Sequence, residues 1–171
     1  MAFVVPKPAD ATVVRGLSLS DLVRASDRVL VVTPLDAESR FERTARGRRI
    51  VTFVRVRVEE AWIGNEPAPS ELLVKIYGGR VGKQAELVIG QPELSLGERS
   101  LLFLMTRPDG SAVVTGMAQG QYRLLPDASR TLRLSPPEGL ERLVRVRASA
   151  VSSLIGLEPS AARAAVLAAT R

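Results

Sequence analysis

The sequence predicts a mainly β (α+β) domain: a small, tightly turned β-barrel or sandwich with a short N-terminal helix and one or two C-terminal helices. Three observations support this prediction. Between Tyr77 and Tyr122, glycines separate short apolar runs that lack helical spacing. Residues 48–62 alternate between apolar and polar side chains, as a half-buried strand does. After Ser135 the apolar residues recur at helical spacing.

We predict a single domain over residues 1–171, because a chain of 171 residues with 46% hydrophobic content suffices for one core. Residues 1–16 are expected to form an extended arm, since two prolines occur among short apolar side chains. The predicted barrel with its N-terminal helix covers residues 17–134. A helical segment is expected over residues 135–171.

The N-terminal helix is predicted from a capping signal. Ser18 can cap the helix, with Asp21 three residues later, and an apolar face follows. Residues 28–33 then form a predicted strand that is apolar on both faces, which suits a strand covered by that helix. The charged residues 40–47 are expected to form a hairpin tip.

The clearest strand spans residues 48–62 and should bend or contain a bulge, because it exceeds the usual strand length. A proline-containing loop over residues 65–70 separates it from a strand at 72–77, which Gly78 and Gly79 end. A turn is predicted at Pro108-Asp109-Gly110. Further short strands are predicted at residues 86–89, 100–105, 112–115, 121–125 and 131–134.

The C-terminal helices follow from cap and stop residues. Ser135 is a predicted helix cap with Pro136 at the first helical position, and Gly156 is the expected stop. An alanine-rich helix is predicted over residues 159–169.

Composition argues against most enzyme classes. The chain contains neither cysteine nor histidine, which excludes histidine-based nucleophilic triads and the usual zinc sites. We therefore predict a protein that is not an enzyme, with no catalytic residues, no cofactor and no metal site. A carboxylate-based hydrolase would require the fold to bring two distant acids together. No run of 18 apolar residues occurs, so no transmembrane segment is expected.

One candidate binding segment is Gly78-Gly79-Arg80, where backbone N–H groups and an arginine could hold an anion. The segment lacks the spacing of a P-loop or a dinucleotide-binding fingerprint. A turn that requires positive φ is the simpler interpretation.

A second candidate is the basic stripe of Phe53, Arg55 and Arg57, three alternate residues of one strand. Together with Arg49 these arginines suggest an alternative function, a polyanion-binding or single-stranded nucleic-acid-binding OB domain. The net charge of +6 is compatible with it, whereas an aromatic content of 4% leaves few rings on which bases could stack, which disfavours nucleic acid.

Four segments in order carry a family resemblance. They are VRVEEAWIG at residues 56–64, YGGRVG at 77–82, QPELSLGERSLLFL at 91–104 and GMAQGQY at 116–122. The chain resembles uncharacterised exported bacterial proteins, common in myxobacteria, whose barrel is similar to the OB-fold domain of tissue inhibitors of metalloproteinases. The resemblance covers roughly residues 17–155.

The resemblance implies an OB-like closed or partly open β-barrel that binds a protein rather than catalysing a reaction. It also implies export to the periplasm, the outer membrane or the medium, with the signal peptide removed. A metalloprotease or an envelope protein is then the expected partner. Those inhibitors place an N-terminal cysteine on the catalytic zinc, and this chain has no cysteine, so that mechanism does not carry over.

Overall fold

The computed structural model describes residues 16–44, 47–137, 140 and 149–170. The strands in these residues are β1 Arg28–Thr44, β2 Gly47–Ile63, β3 Ser70–Tyr77, β4 Gly79–Val81, β5 Gln84–Glu86, β6 Ser100–Thr106, β7 Ala112–Val114, β8 Gln121–Pro126 and β9 Leu132–Ser135. The helices are α1 Leu19–Arg24, the 3-10 helix Met117–Gly120, α2 Ala150–Leu154 and α3 Pro159–Ala168.

Seven strands form one sheet, in the order β1-β2-β3-β7-β6-β8-β9. Because β1 also pairs with β6, the strands β1, β2, β3, β7 and β6 form a closed ring of pairings. Only the short β3–β7 pairing in this sheet is parallel. The strands β4 and β5 form a separate two-stranded sheet. The prediction of a mainly β fold with few helices is confirmed.

Two apolar clusters lie on opposite faces of β1 and β6. The first takes residues from all five ring strands, among them Leu30, Val54 and Leu102. The second packs Val31 and Phe103 against the helices. Helix α1 contributes Leu22 and Val23 to this second cluster, about one turn after Ser18. The Ser18 hydroxyl caps the helix by accepting a hydrogen bond from the Asp21 N–H at 3.1 Å. The prediction of a capped helix that covers a doubly buried strand is therefore correct.

The strands β1 and β2 form a hairpin in which each strand has 17 residues. The hairpin closes within the predicted range 40–47, but most of that range is strand, because β1 continues to Thr44 and β2 begins at Gly47. Charged side chains are compatible with a strand here, since Glu42 faces Arg49 across the ladder. Register shifts at three points in β1 confirm that the long strands are irregular, as their length predicts.

Most of the shorter strands lie within a few residues of their predicted positions. The predicted strand at 86–89 is wrong, because β5 ends at Glu86 and no strand continues through residues 87–89. The predicted helix cap at Ser135 is wrong, because Ser135 ends β9. Residues 138–139 and 141–148 of the predicted helix lie outside the described residues. The chain is extended at Ser149, and helix α2 begins after it. The final helix α3 confirms its prediction. The expected arm lies outside the described residues, except for Gly16.

None of the described helices is both long enough and apolar enough to cross a membrane.

Tyr122 lies in the second apolar cluster, the one that packs against the helices. Its side chain is fully buried, its ring contacts Phe103 edge-on with centroids 6.1 Å apart, and its hydroxyl has no hydrogen-bond partner among the described residues. A buried unpaired hydroxyl is destabilising. We expect Tyr122→Phe to raise the free energy of unfolding by about 1 kcal/mol, measured by urea denaturation near neutral pH.

The same substitution should reduce the loss of stability in alkali. Burial raises the pKa of Tyr122 above 10.0, so stability that is complete below this value is lost as the pH rises above it. Tyr77→Phe, at a partly exposed tyrosine, is the matched control. A Tyr122→Phe protein less stable than the parent would indicate that the hydroxyl has a partner.

Candidate functional site

A groove of about 560 Å³ lies against β1, β2, β3 and the turn between β6 and β7. Its lining combines three cations, three carboxylates and several apolar side chains. The lining residues are Arg28, Arg40, Glu42, Phe53, Glu71, Leu72, Leu73, Lys75, Asp109, Gly110, Ser111 and Ala112.

Lys75 lies at the centre of the charged part of this groove. Its side chain is only 4% exposed, and its Nζ lies 2.6 Å from Glu42 Oε1 and 3.3 Å from Asp109 Oδ2. The register of the sheet places Lys75 on β3 directly opposite Phe53 on β2. Three separate parts of the chain therefore hold one buried ammonium group.

Two aromatic rings complete the surroundings of the ammonium group. Lys75 Nζ lies 6.0 Å from the ring centroid of Phe53 and 5.7 Å from that of Tyr77. The guanidinium carbon of Arg40 lies 4.2 Å from the Phe53 centroid. Cations are attracted to aromatic faces within about 6 Å, so the Phe53 ring links Lys75 and Arg40.

The pKa values of Lys75 and Asp109 are both shifted away from neutral pH. Burial acts to lower the pKa of Lys75, but hydrogen bonds and the charges of Glu42 and Asp109 outweigh it, so that the pKa is raised. Hydrogen bonds from the Ser111 side chain and backbone, helped by Lys75, lower the pKa of Asp109 to about 2. Stability from this carboxylate is present above its ordinary pKa of 3.8 and is lost as the pH falls towards about 2.

Two buried polar atoms of groove-lining residues have no hydrogen-bond partner among the described residues. They are the acceptor Glu42 Oε2 and the donor Arg28 Nε. Buried polar atoms are normally paired with protein, water or a ligand. Leu73, which also lines the groove, is 54% exposed. The groove therefore offers polar and apolar contacts to a bound group.

The predicted basic stripe is only partly brought into this groove. Phe53 lines it, whereas Arg55 and Arg57 do not. Arg55 pairs with Asp36 and, at 3.1 Å, with Glu71. Asp36 faces Arg55 from β1, so the carboxylates come from both neighbouring strands.

Arg57 lies further along the same strand. Its Nη2 is 3.9 Å from Glu59 Oε1. Carboxylates thus accompany both arginines of the predicted stripe.

The structure places Gly78, Gly79 and Arg80 at the turn from β3 into β4, outside the lining of the groove. The N–H of Gly78 donates to the Ile50 carbonyl at 2.9 Å, so it is engaged rather than free to bind an anion. Gly78 and Gly79 have φ values of 98° and 129°, which an L residue rarely adopts. The geometry fits the interpretation as a turn. Among the described residues, the exposed Arg80 donates a side-chain hydrogen bond only to the Gly82 carbonyl, at 3.3 Å.

No protein-family model, no curated protein and no solved structure matches this chain. The groove is therefore interpreted from its own geometry. Within the described residues, no group of three or more His, Cys, Asp or Glu side chains is arranged to hold a metal ion.

Sequence reasoning missed Lys75, Glu42 and Asp109 as site residues. A signal was present, because lysine occurs at only three positions in a chain with 24 basic residues, and Lys75 interrupts an otherwise apolar run. A lone lysine among apolar strand residues indicates a buried cation that needs partners. The identity of those partners, 33 and 34 residues away, required the fold.

Proposed function

We propose that this protein is a non-catalytic, exported binding module with an OB-like barrel, and that its partner is another protein. The family resemblance favours an envelope protein or a metalloprotease as that partner. The observation that carries the proposal is the groove, in which a buried lysine is held by two carboxylates beside exposed apolar surface.

The charges in the groove support binding over catalysis. A general acid or base works best when its pKa lies near the working pH. The pKa of Lys75 is raised and that of Asp109 is lowered to about 2, so both move away from neutrality. Such groups orient a ligand through fixed charge and do not exchange protons with it at neutral pH.

Exposed apolar side chains support a protein partner. Leu73 lines the groove, and the segment between β5 and β6 exposes Leu87, Ile89 and Leu96. The exposed fraction of Leu87 reaches 90%. Protein interfaces combine apolar anchors with a polar periphery, and exposed apolar surface frequently marks them.

The closed ring of five strands supports the OB-like part of the proposal, because an OB fold is a five-stranded, partly open barrel. The apolar residues that alternate along β2, such as Val54 and Val56, enter the cluster shared by these strands.

The alternative function, polyanion or single-stranded nucleic-acid binding, has less support. It would use Arg49, Arg55 and Arg57, and each of these guanidinium groups is accompanied by a carboxylate. Arg40 also covers one face of the Phe53 ring on which a base would stack.

Site-specific photocrosslinking tests the proposal. A photoreactive residue at Leu73 should capture one defined protein from a native envelope fraction, because this side chain lies in the groove. The matched control is the same residue at Leu167, an exposed leucine on α3. Identical adducts at both positions, or turnover of a substrate by the purified protein, would contradict the proposal.

A further inference from the structure

Two arginines face each other near the end of the β1–β2 hairpin. Arg43 on β1 is directly opposite Arg48 on β2, and both side chains are exposed. Like charges at directly opposed positions of an antiparallel pair destabilise the sheet. An anion bound between the two guanidinium groups would remove this repulsion.

Neither Arg43 nor Arg48 has a carboxylate within salt-bridge distance among the described residues. The arginines that do pair with a carboxylate there are Arg24, Arg28, Arg49, Arg55, Arg57, Arg99, Arg123 and Arg133. Among the described residues, Arg40, Arg80, Arg107, Arg130 and Arg163 share the lack of a carboxylate partner with Arg43 and Arg48. What distinguishes Arg43 and Arg48 is that they face each other across the ladder.

Phe41 holds one of the two guanidinium groups in place. The guanidinium carbon of Arg48 lies 4.1 Å from the Phe41 ring centroid. A stacked guanidinium keeps the N–H groups of its edge free for a carboxylate or phosphate. The pair is therefore partly preorganised for an oxyanion.

We propose that Arg43 and Arg48 bind the carboxylates of an acidic, extended segment of a protein partner. The inference rests on the proposed function, because it names the chemistry of part of the surface that the partner contacts. The proposed contact lies on the β1–β2 hairpin, outside the groove that contains Lys75, because neither Arg43 nor Arg48 lines that groove.

The open edge of β1 favours a polypeptide over a nucleic acid. β6 pairs with β1 only through Arg28–Val32, and within the described residues no strand other than β2 pairs with residues 37–44. An extended peptide can add to such an edge through backbone hydrogen bonds, which a nucleic acid cannot. The rings of Phe41 and Phe53 each have one face covered by an arginine.

Fluorescence anisotropy with a fluorescein-labelled peptide of alternating Glu and Thr tests the site. At low ionic strength, the double variant Arg43→Gln with Arg48→Gln should bind this peptide about tenfold more weakly. The control variant, Arg107→Gln with Arg163→Gln, removes the same charge from exposed arginines elsewhere and should change the affinity less than about twofold. A Gln-Thr peptide should not bind.

An equal loss of affinity in the control variant would show that Arg43 and Arg48 are not the binding site. Tighter binding of oligothymidylate than of the Glu-Thr peptide, at the same charge, would contradict a peptide ligand. Absence of peptide binding to the parent protein would also overturn it. The two proposals can fail separately. If the parent protein binds no peptide but the double variant still crosslinks its protein partner through position 73, the proposed arginine site is wrong and the proposed function stands. Peptide binding as expected, with no partner at Leu73, contradicts the proposed function instead.

Discussion

Replacing Gly79 with alanine is expected to lower the free energy of unfolding by about 3 kcal/mol. The residue has a φ of 129°, a region that is strongly unfavourable for residues with a Cβ. An added Cβ would also overlap Thr52 Oγ1 and lie 2.6 Å from Ser39 Oγ. Thr52 donates to the Gly78 carbonyl at 2.7 Å, so moving it aside would break a second contact of the turn. Urea denaturation measures this effect.

Gly82→Ala is the matched control for this prediction. Gly82 has a φ of 58°, and a Cβ there would meet nothing within 4 Å. Its substitution should cost only about 1 kcal/mol. If Gly79→Ala leaves stability unchanged, the interpretation of this segment as a close-packed turn is wrong, and its role as a binding loop regains weight.

Replacing Lys75 with methionine is expected to lower the free energy of unfolding by about 2 kcal/mol. Methionine fills much of the same volume but leaves Glu42 and Asp109 without their cation. Glu42 Oε2 is already buried with no hydrogen-bond partner among the described residues. Breaking a buried ion pair by removing one partner usually costs 3–5 kcal/mol, and the partial exposure of both carboxylates reduces this value. Thermal and urea denaturation at neutral pH measure the loss.

Lys83→Met, at an exposed lysine in the turn between β4 and β5, is the control and should change stability by less than about 0.5 kcal/mol. A double variant that also carries Glu42→Gln should recover part of the loss, since it removes the carboxylate left without its cation. If Lys75→Met alone proves more stable than the parent, the ion pair serves a purpose other than stability, such as holding the groove open for its partner.

The strands were predictable where the pattern of side chains is local. The alternation along β2 correctly separated the buried Val54 and Val56 from the exposed Arg55 and Arg57. The cap at Ser18 and the turn at Gly110 were also predictable, because a few neighbouring residues determine each.

The extent of the β1–β2 hairpin was not predictable from local patterns. Charged residues after Asp36 indicate a loop when read alone, yet pairing with β2 extends the strand to Thr44. Backbone pairing can stabilise an exposed charged strand whose sequence has little strand propensity of its own. The predicted strand at residues 86–89 was wrong because the prediction assumed that its apolar side chains are packed. In the structure Leu87 and Ile89 are exposed.

The candidate site depends on contacts between distant parts of the chain. Local sequence marks Phe53 and the lone Lys75 as unusual residues, and it predicts a turn that contains Asp109. It does not indicate that Glu42 and Asp109 share one ammonium group, because such pairings depend on how the strands close into a ring.

The amino-acid pattern alone was enough to predict a mainly β domain, its capped first helix, its glycine turns and the absence of histidine and cysteine chemistry. These features depend on side-chain identity and on spacing within a few residues. Only the folded chain placed a buried cation between two carboxylates, paired Arg49, Arg55 and Arg57 of β2 with acids, and left Arg43 facing Arg48. The physical reason is that electrostatic interactions depend on distance in space, which the closure of the sheet sets.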